Sequence, residues 1–84
     1  MARMKAYSKE EIASAEIIYR WLHTNSEIGK TSRTREEILD KSNVKNAERF
    51  KRAIEYLKRR SLIVVGQGSY MLIRESITED FSMP

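Results

Sequence analysis

Lys45, Asn46, Arg49 and Arg52 stand close together in the stretch NVKNAERFKRAIEYLKRR, positions 43–60. Guanidinium and ammonium groups at this density can neutralise phosphates, and an arginine fork can pair with a planar edge that offers two acceptors. Positions 41–60 hold eight of the sixteen basic residues against only Glu48 and Glu55. The other 64 residues hold eight basic and ten acidic residues, so the net charge of +4 comes from one segment. The same residues also suit a plain solvated helix. Glu48 with Arg52, Lys51 with Glu55 and Glu55 with Arg59 are i,i+4 pairs, each stabilising a helix by a few tenths of a kcal/mol.

Other chemistry has little foothold. There is no cysteine, hence no disulfide, thiolate ligand or thiol nucleophile. His23 is the single histidine, placed where a helix ends. Glu10-Glu11 and Glu36-Glu37 fall in first helical turns, where the helix dipole accounts for them. The expectation is a non-enzyme with no metal, no cofactor and no legible small-molecule site. The longest apolar run, 62–65, is far too short to span a membrane, and the start of the chain lacks the apolar stretch of a signal peptide. An intracellular location, cytoplasm or nucleoid, is the default.

The elements that must position the basic segment are written in caps and periodicities. Ser8-Lys9-Glu10-Glu11 is a capping box, with Tyr7 and Ile12 as a hydrophobic staple. Ile12, Ala15, Ile18, Tyr19 and Leu22 recur at helical spacing, which predicts a helix over 9–23 with Ile17 and Trp21 on a second edge. Residues 25–33 read as a loop. Thr34-Arg35-Glu36-Glu37 is a second capping box and predicts a short helix over 35–41. After a turn containing Val44, Asn46 caps a third helix whose buried stripe is Ala47, Phe50, Ile54 and Leu57, ending at 60 or 61. Positions 62–65 and 70–74 flank Gly66-Gln67-Gly68-Ser69 and predict a hairpin that must pack on the helices. Three regions follow: a basic arm over 1–7 with Arg3 and Lys5, a domain over 8–74, and an acidic, mobile tail over 75–84.

This order of elements, with the rhythm of TREEILDKSNVKNAERFKRAIEYLKRRSLIVV, resembles the winged helix-turn-helix family over residues 8–74. Ser61 stands where many members have Gly. The resemblance implies an α+β, mainly α fold of three helices followed by a two-stranded antiparallel hairpin, the wing. It also implies duplex DNA binding, with the third helix in the major groove and the wing on phosphate or the minor groove. The chain would then be a small transcriptional regulator, with a homodimer as a further expectation. Apolar surface for self-association would lie at Ile17 and Trp21 and at Ile77, Phe81 and Met83.

The DNA-contacting candidates are Lys45, Arg49 and Arg52 on the third helix, Lys30, Arg33 and Thr34 before the second, and Gln67 and Ser69 at the wing tip. Arginine pairs with guanine, and asparagine with adenine when it is not capping a helix; Asn46 is taken as a cap. Glu48 would repel phosphate but could accept from a cytosine amino group. Tyr56 and Tyr70 are the aromatics outside the expected core. The wing is uncharged, and this and the interleaved glutamates favour a second reading, a winged-helix protein-interaction module in a replication, transcription or membrane-remodelling assembly.

Overall fold

The structure is a computed structural model that describes residues 6–81. Along the chain come α1 (Lys9–Asn25), β1 (Arg33–Thr34), α2 (Arg35–Lys41), α3 (Ala47–Arg59), β2 (Ile63–Val65), β3 (Ser69–Leu72) and a 3-10 helix (Thr78–Phe81). The fold is α+β and mainly helical. Each helix begins where its cap places it. Ser8 Oγ accepts from the Glu11 N–H at 3.1 Å while the Ser8 N–H donates to Glu11 Oε1 at 2.9 Å. Thr34 and Glu37 repeat this exchange at 3.1 and 2.9 Å, and Asn46 Oδ1 accepts from the Arg49 N–H at 2.9 Å. The Thr34 N–H bond is the main reason the Glu37 carboxyl lies below its ordinary range. No helix of the described residues is long and apolar enough to cross a membrane.

The sheet has three antiparallel strands in the order β1-β3-β2, where the sequence led us to expect a two-stranded hairpin. The added strand comes from the end of the predicted loop, with Arg33 opposite Tyr70 and Thr34 opposite Ser69. A two-residue strand has no periodicity to read; it exists because β3 offers a second edge. The hairpin itself pairs Ile63 with Leu72, Val64 with Met71 and Val65 with Tyr70. One face of the sheet joins the core, where Leu62 and Leu72 meet Ile18 and Leu22 of α1, Ile38 of α2, and Phe50, Ala53 and Leu57 of α3. Val44, in the turn between α2 and α3, is also buried. Tyr56 and Tyr70, expected outside the core, are inside it: Tyr56 packs edge-on against Tyr7, and Tyr70 against Phe50.

The tail differs most from expectation. Residues 75–81 pack on the domain, and Asp80 is 1 % exposed. Its carboxylate accepts two bonds from the Arg74 guanidinium, both at 3.0 Å, one from Arg60 Nε at 3.2 Å and one from the Ile77 N–H at 2.7 Å. The Tyr56 hydroxyl donates to the Asp80 carbonyl, and Phe81 lies against Tyr19 and Tyr56. Acidic residues in the sequence suggested solvation; the fold supplies two arginines that no local pattern pairs with Asp80.

Arg74, with help from the Ile77 N–H and Arg60, lowers the Asp80 carboxyl from 3.8 to about 2. A depressed carboxyl stabilises fully above its unfolded pKa and loses that contribution as pH falls through the folded value. Asp80 therefore contributes about 2 kcal/mol that disappears between about pH 4 and pH 2. Urea denaturation should show Asp80→Asn less stable by about 2 kcal/mol near neutral pH, and wild type and variant converging toward about pH 2. Equal stability near neutral pH would mean that the carboxylate holds nothing.

Candidate nucleic-acid interface

α3 is buried along Phe50, Ala53, Ile54, Tyr56 and Leu57, which leaves two flanks and a crest. One flank faces α1 and the N-terminal segment, and it carries Arg49 and Arg52. The other faces the hairpin and carries Lys51 and Lys58. What each basic side chain can do depends on whether the fold has already engaged it.

Arg52 is engaged. Its guanidinium reaches Glu11 at 3.2 Å, Glu55 at 3.1 Å and the Ala6 carbonyl at 3.3 Å, and it lies 4.3 Å from the centre of the Tyr7 ring. The Glu11 bond, more than any other contact, raises the Arg52 pKa. This side chain joins α3 to the start of α1 and is no longer a strong candidate for contacting DNA. Lys45 is engaged as well: its Nζ donates to the Leu39 and Asp40 carbonyls at 3.2 and 2.6 Å, capping the end of α2. Arg33 donates to the Asn25 carbonyl and stands 3.6 Å from Glu37, so it ties β1 to the end of α1. Thr34 is occupied by its capping box. Among the described residues none of the three expected i,i+4 pairs forms: Arg52 turns from Glu48 to Glu11 and Glu55, and Glu55 thereby pairs at i,i+3 with Arg52 and not with Lys51 or Arg59.

Arg49 and Lys30 are exposed and keep their ammonium or guanidinium groups available. Arg49 lines a polar cleft with Ser8, Glu10, Glu11 and Arg52, whose carboxylates offset its charge. Lys30 lies beyond Gly29, whose left-handed backbone (φ 75°) lets its N–H reach the Leu72 carbonyl at 2.7 Å. Gln67 is exposed at the hairpin tip, and Ser69 is half-buried beside β1. The tip is tethered: the Gly68 carbonyl, at another left-handed position (φ 74°), accepts from the Arg35 N–H at 3.4 Å. Arg3 and Lys5 lie outside the described residues.

The hairpin-side flank of α3 and the hairpin enclose an open groove of about 430 Å³. Phe50, Ile54, Val65 and Tyr70 line it together with Ala47, and Arg35, Lys51 and Lys58 stand among Glu48 and Glu55. Arg35 lies 5.5 Å from the centre of the Phe50 ring. Lys51 and Lys58 are exposed and have no ion pair or hydrogen bond from their ammonium groups among the described residues. None of these three basic residues is among the candidates that the sequence alone points to. A helical wheel puts Lys51 and Lys58 beside the buried stripe, but only the tertiary fold shows which flank meets the hairpin.

Elsewhere, His23 Nε2 is 2.9 Å from Glu75 Oε1, and the described residues contain no group of side chains arranged to hold a metal. Of the apolar residues considered for self-association, Ile17 and Ile77 are exposed, Trp21 and Phe81 pack against the core, and Met83 lies outside the described residues. Compared with known proteins, the chain matches no family model, no curated protein and no solved structure.

Arg52→Ala should lower the melting temperature by several degrees, since three contacts to the N-terminal segment go with it, whereas Arg49→Ala should leave it unchanged. Circular dichroism melts of the two variants beside wild type check this. Equal melting of all three would return Arg52 to the set of free cations.

Proposed function

We propose that the chain is a winged-helix domain that binds duplex DNA through the hairpin-side flank of α3. The observation that carries this is the groove beside α3, where Lys51, Lys58 and Arg35 converge from two helices and the two lysines have no partner of their own among the described residues. A helix-turn-helix pair followed by a hairpin, with that hairpin held against the helix meant for the major groove, supports the family reading. Gln67 and Gly68 at the tethered tip lie near the first turn of α2 and can offer neutral hydrogen bonds to phosphate. Arg49 and Arg59, exposed on other sides of α3, widen the positive surface. The function is one of binding, in the manner of a small transcriptional regulator.

A second reading has its own support. The groove floor is apolar, and positions 61–73 (SLIVVGQGSYMLI) carry no charge at all, with Val64 and Ile73 exposed. An amphipathic segment of another protein would find both an apolar floor and a charged rim there.

Salt dependence separates the two. Binding to a random duplex of about 30 base pairs should weaken by orders of magnitude between roughly 50 and 200 mM salt, as expected when several phosphates are neutralised. Each lost phosphate contact reduces the log–log slope by about 0.9, so Lys51→Ala/Lys58→Ala should lower its magnitude by about 2. Fluorescence anisotropy measures both. Negligible duplex binding at low salt would favour the protein-partner reading, and binding with an unchanged slope would move the DNA contact elsewhere on the chain.

A further inference from the structure

Glu48 is the acidic residue in the first turn of α3. It stands on the crest of the helix, lining both the groove beside the hairpin and the cleft beside α1. The basic partner that helical spacing offers it, Arg52, is turned away to Glu11 and Glu55. Among the described residues Glu48 makes no ion pair and no side-chain hydrogen bond. The positive end of the helix favours a carboxylate there, but it does not require one that projects bare from the face bearing Lys51.

On a surface that meets phosphates, a bare carboxylate weakens binding to every sequence unless it receives a donor. In the major groove guanine presents only the acceptors N7 and O6, and thymine presents O4 and a methyl group. The donors are the cytosine N4 amino and the adenine N6 amino groups. Adenine places the N7 lone pair next to its amino group, which repels a carboxylate, whereas the cytosine amino group has no acceptor beside it on its own base. The first turn of a helix docked by its N-terminal end is the part that reaches base edges.

We infer that Glu48 is a specificity-determining residue that accepts a hydrogen bond from a cytosine N4 amino group. This rests on the DNA-binding reading above and adds to it a particular base and a particular side chain. It gives the unpaired acid a role beyond the favourable placement that any first-turn carboxylate has at the positive end of a helix. The cost is weaker binding to duplex in general, in exchange for selectivity at one position.

Site selection from a randomised duplex library, with wild type, Glu48→Ala and Glu48→Gln side by side, tests this. Affinity for random duplex and a thermal melt of each protein are recorded alongside. Wild-type sites should carry cytosine at one position. Glu48→Ala should lose about tenfold in discrimination there while binding random duplex more tightly. Glu48→Gln should move the preference toward adenine, since an amide accepts from N6 and donates to N7. Folded variants that select the same sequences as wild type, with affinity raised evenly, would overturn the inference and leave DNA binding intact. Failure of all three proteins to bind duplex would overturn both.

Discussion

The groove beside α3 exists because the chain reverses direction between that helix and β2 within a very short turn. Arg60 closes α3, Ser61 takes a left-handed conformation (φ 59°), and the Leu62 N–H returns to the Leu57 carbonyl at 2.9 Å. A side chain at a left-handed position costs about 1 kcal/mol, which is why glycine is the easier residue there. The fold offsets that cost with bonds converging on the turn. Arg74 donates to the Arg60 carbonyl, and both arginines bind the buried Asp80 carboxylate. The end of α3, the end of β3 and the 3-10 helix are thereby held at one point. The hairpin cannot swing away from α3 without breaking that cluster, so the groove keeps its shape.

The basic residues divide according to what the fold asks of them. Arg52, Lys45, Arg33, Arg60 and Arg74 satisfy carbonyls and carboxylates at places where helices end or strands begin. Among the described residues Lys51, Lys58, Arg49, Arg59 and Lys30 have no such duty. The division follows side-chain chemistry in part. Several guanidiniums bridge more than one acceptor, while most lysines reach into water on flexible stems. Lys45 is the exception, because two carbonyls at the end of α2 lie within reach of one ammonium. A high local density of positive charge is thus partly structural, and only the remainder is available to an anionic partner.

Local signals were legible in the sequence and non-local ones were not. The caps at Ser8, Thr34 and Asn46 announce three helices, and Gly66 and Gly68 announce the hairpin, because each signal lies within a few residues of its partner. The pairing of β1 with β3 joins Arg33 to Tyr70 across most of the domain, and two residues carry no periodic pattern. The packing of residues 75–81 is illegible in the sequence for the same reason: Asp80 finds Arg60 twenty residues away, with nothing in between to mark the pair. At the candidate site, Phe50, Ile54 and Leu57 locate the buried side of α3, but Ala47, expected in the same stripe, is exposed at the groove, because the first turn of the helix extends past the core. Which cations flank the hairpin, and which are consumed by α1, depended on helix packing that one sequence does not display.

The hairpin-side flank of α3, and not the Arg52 side, is the surface proposed to meet the partner. Amide and side-chain NMR spectra of the domain titrated with a random duplex test this residue by residue. Contact through the hairpin-side flank should place the largest shifts at Arg35, Ala47, Glu48, Lys51, Lys58 and the hairpin tip around Gln67 and Gly68, with Glu11, Arg52 and the Asp80 cluster little changed. Shifts centred on Ile17 and Trp21, or on the cleft around Glu11 and Arg52, would contradict it.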